Sequence, residues 1–233
     1  MMKHDTFHTT HWSVVLAAKG DDTNARTAFA VLCESYRGPV LRFIERRCGK
    51  QDAEDLTHDF FLRVIQGEEF RHLQREKGRF RSYLLGAVKF FLTGRREKAA
   101  SQRRGGNEQI VSMDVDVEEP RVELDLRFDR DWAEAIVSRA IAELREEATE
   151  AGETSRFEVL RFWLSGNVTD ADRNRALETL GVSKEHFKVL VSRLRKRFRE
   201  KIHIQIAQTV GSEEEIVVEL DYLIRVLRQP TSD

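Results

Sequence analysis

Proline is scarce in this chain: Pro39, Pro120 and Pro230 are the only ones in 233 residues. Long stretches are therefore free to be helical. Cysteine is scarcer still. Cys33 and Cys48 stand alone without CxxC spacing, which argues against a disulfide framework and fits a reducing cytoplasm. No run approaches the roughly 18 apolar residues needed to span a bilayer, and no signal-peptide pattern opens the sequence. The expectation is a cytoplasmic chain without membrane insertion. P-loop, GxSxG, HExxH and paired-cysteine motifs are all missing, which removes the commonest routes to an enzyme. His4, His8 and His11 lie close together near the start, but no zinc-ligand motif surrounds them. No metal, cofactor or catalytic residue is expected.

What the chain does have is charge, 34% of all residues against 40% hydrophobic, with a net charge of only −1. That balance hides a polarity. Residues 71–104 carry eleven Arg and Lys against two Glu, whereas residues 112–131 carry eight Asp and Glu against three Arg. Residues 184–201 are basic again, with eight Arg and Lys against two Glu. Two basic blocks separated by an acidic one suggest two contacts with a polyanion.

Apolar residues recur at helical rather than alternating intervals, so the fold class is all-α. Short helical signals cover residues 12–19. A longer helix over 23–48 places Phe29, Leu32, Cys33, Tyr36, Val40, Phe43 and Ile44 on one face. Asp52 is a candidate cap for the next helix, which buries Leu56, Phe60, Phe61, Val64 and Ile65. A loop around 67–79 precedes a basic helix. Residues 101–129, polar and then acidic, show no clear stripe and are the best linker. Helices over about 130–150, 155–165, 171–180 and 184–201 make a second unit. Ser212 with Glu215 makes a capping box for a last helix, whose apolar line is Ile216, Val217, Leu220, Leu223, Ile224 and Leu227.

The stretch LGVSKEHFKVLVSRLRKRFREK has Phe187, Leu190, Val191, Leu194 and Phe198 at one-face spacing. With the short helix ending at Leu180-Gly181 before it, this is a helix-turn-helix pattern. In that geometry Lys184, Glu185 and Lys188 reach base edges, while Arg193, Arg195, Lys196 and Arg199 meet phosphates.

GRFRSYLLGAVKFFLTGRREK, residues 78–98, holds six cations against one acid, Glu97. Unpaired bases offer ring faces to stack on, and aromatic residues within a cationic track suit a single strand. The competing reading is plain burial, since Phe80, Tyr83, Leu84, Ala87, Val88 and Phe91 also form a core stripe. Arg79, Arg81, Lys89, Arg95 and Arg96 are the nucleic-acid candidates under either reading. In DAEDLTHDFFLRV, Asp55, His58 and Asp59 share a polar face that suits a basic partner helix.

Taken in order, QDAEDLTHDFFLRV, GRFRSYLLGAVKFFLTGRREKA and ALETLGVSKEHFKVLVSRLRKRFRE resemble regions 2 and 4 of bacterial sigma-70-family RNA polymerase sigma factors. The likeness is to the compact extracytoplasmic-function (ECF) group and covers roughly residues 23–202. THWSVVLAA near the start and IAQTV with EEEIVVEL near the end resemble one branch of that kind. The resemblance implies that Asp55, His58 and Asp59 meet the clamp coiled coil of the largest polymerase subunit. It implies a pocket near Phe70–Arg79 for a base flipped from the −10 element, with Arg79, Arg81, Lys89, Arg95 and Arg96 along the −10 DNA. Lys184, Glu185, Lys188 and Ser192 fall on the helix that reads the −35 element. The family often has Gln at the place of His58, Trp at Tyr83, and Asn and Asp at Phe90 and Gly94. The last two departures bear on −10 sequence preference rather than on the fold.

The resulting organisation is an N-terminal segment (1–22), region 2 (23–104), an acidic linker (105–130), region 4 (131–202) and a C-terminal extension (203–233). The implied function is promoter recognition and transcription initiation with core RNA polymerase and promoter DNA as partners. A stand-alone helix-turn-helix regulator is the alternative, but it leaves the first basic block unexplained. The restraining partner would be an anti-sigma factor or the C-terminal helix itself. That helix needs a cover, most simply region 4 or the linker.

Overall fold

The computed structural model describes residues 23–65, 79–105, 121–166 and 168–229. Those residues form eight α-helices and one 3-10 turn, with no strand among them. The expected helix over 12–19, His4, His8 and His11, and the loop before Arg79 lie outside the described residues. The helices are α1 (Thr23–Cys48), α2 (Ala53–Ile65), α3 (Phe80–Gly105), α4 (Arg121–Glu150), α5 (Thr154–Leu160), α6 (Asp170–Leu180), α7 (Lys184–Ala207) and α8 (Glu213–Arg228). The 3-10 turn Arg161–Leu164 follows α5. The chain divides into two units, Met1–Ala135 with Ala207–Asp233, and Ile136–Ile206.

In the first unit α1 buries the whole stripe from Phe29 to Ile44 read from its spacing. It runs through Pro39 and stops at Gly49, whose φ of 84° lies in the left-handed region that glycine adopts without strain. Phe60 and Val64 of α2 are fully buried, as are Phe80, Leu84, Ala87 and Val88 of α3. Ring edges knit these helices together: Tyr36 meets Phe80 at 4.9 Å and Phe60 meets Phe91 at 5.6 Å. Each such side chain contributes roughly 1.5–3 kcal/mol by leaving water. Of the aromatics threaded through the basic helix, Phe80 and Phe91 are therefore core and Tyr83 is half-buried against Phe80, whereas Phe90 is 59% exposed. The first N–H of α3, that of Phe80, donates to the Thr209 carbonyl at 3.0 Å, which ties the helix start to the segment before α8.

Two boundaries differ from expectation. The segment assigned to a linker, 105–130, is helical from Arg121 onward, as the first turns of a 30-residue helix. Leu124, Phe128 and Trp132 bury one face of it, and Phe128 packs edge-on against Phe43 at 5.9 Å. The stripe escaped notice because Asp129 and Asp131, on neighbouring faces, are buried too. Asp131 accepts from Arg42 at 2.7 Å and from Arg46 at 2.6 Å. With its acids turned inward, the helix lacks the clean polar face by which such helices are recognised.

The second difference is α8, which belongs to the first unit rather than forming a separate extension. Its buried line is Ile216, Glu219, Leu223 and Val226, whereas Val217 and Ile224 are 62% and 43% exposed. The helix is thus rotated from the expected apolar line, and the rotation carries Glu219 into the interior. The expected Ser212 cap makes no hydrogen bond to the helix start. The returning half of the box is present in altered form, with Glu215 accepting from the Gly211 N–H at 2.8 Å.

The second unit has its own core of Leu160, Trp163, Ala176, Phe187 and Val191. Trp163 and Phe187 meet edge-on at 5.0 Å. Here α7 runs on to Ala207, past the expected end near Lys201.

Candidate nucleic-acid interface

In the second unit, α6 and α7 follow one another across the short turn Gly181–Ser183. The Thr169 hydroxyl accepts from the Asp172 N–H, and Asp172 reaches back to the Thr169 N–H, a capping box that starts α6. The Thr169 hydroxyl also donates to the Asp172 carboxylate at 2.6 Å, and this bond, with the one from the Thr169 N–H, holds that carboxyl below the usual carboxylate range. The turn passes through Gly181 at φ 62°. Ser183 then caps α7, its hydroxyl accepting from the His186 N–H at 3.2 Å. Buried Phe187 and Val191 fix the rotation of α7 about its axis. That rotation leaves Lys184, Glu185, Lys188, Ser192, Arg193, Arg195, Lys196 and Arg199 all exposed.

Two of those eight have protein partners. Arg195 donates to the Trp163 carbonyl at 3.0 Å, and Lys196 lies 3.9 Å from Glu200. Lys184, Lys188, Arg193 and Arg199 form no ion pair among the described residues. Two other cations of α7 are paired with α4 instead. Lys201 meets Glu147 at 2.7 Å and Glu143 at 3.2 Å, and Arg197 also pairs with Glu147. The bond to Glu147 is the main cause holding the Lys201 ammonium pKa up.

The basic helix of the first unit is arranged otherwise. Arg81 is only 6% exposed. It cannot lie on an open DNA track in this conformation. Its guanidinium donates to Glu219 Oε1 at 2.9 Å and to Asp129, and it stacks 4.4 Å from the Tyr222 ring centroid and 4.9 Å from that of Trp132. Burial alone would lower its pKa, but Asp129 and Glu219 more than offset that, so the cation is held charged. Tyr222 completes the cluster by donating its hydroxyl to Asp129. Its own pKa is pushed up to about 12, first by burial and then by that carboxylate.

The neighbouring candidates are engaged as well. Arg79 meets Glu219 Oε2 at 2.8 Å, Lys89 meets Asp125 at 2.5 Å, and Arg95 meets Asp59 at 3.1 Å. Arg96 is exposed. Sequence reasoning missed Asp125, Asp129, Glu219 and Tyr222 because each is unremarkable in its local pattern. One signal was legible: Glu219 falls at helical spacing within Ile216, Leu223 and Val226, a carboxylate in the middle of a buried line.

On α2, buried Leu56, Phe60 and Val64 turn the opposite face outward. Asp55 and His58 are exposed and Asp59 is half-buried beside Arg95. The three share one face. Arg37 and Glu54 pair at 2.5 Å beside it.

Residues 32–99 match the family model of sigma-70 region 2. The matched segment runs from within α1 through α2 into α3. It therefore contains Asp55, His58, Asp59 and all five basic candidates of α3 and its approach. Helices α4, α6, α7 and α8 lie outside it. No curated protein and no solved structure matches the chain.

Proposed function

We propose that this protein is a sigma factor of the ECF kind, which binds core RNA polymerase and directs it to promoters. The observation that carries the reading is the sigma-70 region 2 match over residues 32–99, followed in the same chain by two helices joined at Gly181–Ser183, the second of which exposes all eight of its candidate DNA-binding side chains. Asp55, His58 and Asp59 on α2 face the clamp coiled coil of the largest polymerase subunit. The negative face of Asp55 and Asp59 supplies complementarity to a basic helix, which affects encounter and register more than raw affinity.

In this reading α7 enters the major groove of the −35 element. Lys184, Glu185 and Lys188, on its first turns, read base edges, and Ser192 lies on the same helix. Arg193, Arg195, Lys196 and Arg199 follow the phosphates and set position rather than sequence. The first unit acts on the −10 element. Lys89, Arg95 and Arg96 hold the backbone of a strand as it opens, and Arg79 and Arg81 join them only when their carboxylate partners Glu219 and Asp129 move. No bond is made or broken by the protein itself. Its contribution is to position polymerase and to stabilise opened DNA.

The test is co-elution with purified bacterial core polymerase on a sizing column. The wild-type chain is expected to travel with core, and Asp55→Lys with Asp59→Lys to travel alone while remaining folded. Free migration of the wild type, together with tight binding of the free chain to duplex DNA, would instead identify a stand-alone regulator.

A further inference from the structure

Glu219 is completely buried, yet it lies on a helix outside the matched segment and meets two arginines inside it, Arg79 and Arg81. Its Oε1 accepts a hydrogen bond from Arg81 at 2.9 Å, and its Oε2 forms an ion pair with Arg79 at 2.8 Å. Asp129, from the start of α4, takes a second nitrogen of Arg81. Asp125, one turn earlier on α4, takes Lys89. Three of the five cations expected along the −10 strand are therefore neutralised by carboxylates from α4 and α8.

This arrangement has the chemistry of a bound phosphate backbone. Arginines engage phosphate and carboxylate through the same charge-assisted donors, and two anionic oxygens shared between two guanidinium groups suit either ligand. Arg81 also lies over the Tyr222 and Trp132 rings, aromatic cover of the sort a base could supply. A carboxylate and a phosphate cannot occupy these donors together.

We propose that α8 is an internal competitor of promoter DNA, with Glu219 and Asp129 standing where phosphates of the −10 strand would bind. This rests on the sigma-factor reading and deepens it. In the free chain the latch is closed and the first unit has little affinity for single strands. Displacing α8 uncovers Arg79 and Arg81 for the strand. Because carboxylates and phosphates compete for the same cations, whatever loosens α8 tightens DNA binding, and DNA in turn loosens α8 by the same factor.

The probe is a fluorescent single-stranded 20-mer of mixed sequence, titrated against the full-length chain without polymerase. Glu219→Gln keeps an acceptor oxygen but removes the charge. It is expected to bind the strand at least tenfold more tightly than wild type, a gain that simple loss of structure does not produce. Unchanged or weaker binding by a folded Glu219→Gln chain would overturn the proposal. Should that variant unfold, hydrogen exchange of the wild type at saturating single strand decides. Loss of protection across residues 213–228 is then expected, and full retention overturns the latch. Failure of the wild type to co-elute with core would count against the sigma-factor reading alone, since neither latch measurement uses polymerase.

Discussion

Arg81 and Arg193 are both arginines on basic helices, and their local sequences give little reason to treat them differently. In the fold they have opposite roles. Arg193 is exposed on α7 and forms no ion pair among the described residues. Arg81 is buried against Glu219, Asp129 and two aromatic rings. The difference shows that a basic stretch stays open to a partner only where the rest of the chain does not meet its charges. On α7 the apolar line of Phe187 and Val191 turns the charges outward. On α3 acids from α4 and α8 have already met them.

The sharpest break in this comparison comes from removing each arginine. Arg81→Leu leaves Asp129 and Glu219 buried without their main partner and should destabilise the first unit by about 3–5 kcal/mol in urea unfolding. Arg193→Leu should leave stability within about 0.5 kcal/mol. Its effect should be on DNA instead, lowering the slope of log affinity against log salt by about 1. Equal loss of stability in the two variants would erase the distinction.

The aromatics sharpen it next. Phe80→Ala empties a fully buried position and should cost about 3–5 kcal/mol. Phe90→Ala, at an exposed position, should be nearly silent in the same unfolding assay. A smaller effect is expected at the reading end of α7. Lys188→Ala should weaken specific duplex binding by about 1–3 kcal/mol if the lysine contacts a base edge, with no change in stability. Thr169→Ala removes the α6 cap and should cost about 1 kcal/mol in the second unit alone.

The smallest effect is a pH dependence confined to the first unit. Tyr222 has its pKa raised from 10.0 to about 12. A raised pKa means that the folded state holds the phenol proton more tightly than the unfolded chain does. Its contribution to stability is complete below pH 10 and disappears as pH climbs to about 12. Thermal unfolding across that window should show a steeper loss for wild type than for Tyr222→Phe. Parallel curves would mean that the hydroxyl on Asp129 adds nothing.

How much of this could be read from the residues follows from the same contrast. Helices α1, α2 and α7 were legible because each separates apolar from polar residues by face. Leu180-Gly181 announced the turn. The start of α4 was not legible, since Asp129 and Asp131 are buried in ion pairs with residues 48 and 85 or more positions distant. No local pattern encodes partners that far along the chain. Arg81 looked like a surface cation for the same reason. In α8 the helix was clear, but its rotation was not, because hydrophobicity alone favoured Val217 and Ile224 over Glu219. Pairing of Glu219 with Arg79 and Arg81 decided it.

The most direct test of the central claim, that the chain directs polymerase to promoters, is run-off transcription with core polymerase on a pooled promoter library. The account predicts starts that require both core and this protein and that share elements near −35 and −10. A chain that binds core yet yields no protein-dependent starts from the pool, even as Glu219→Gln, would contradict it.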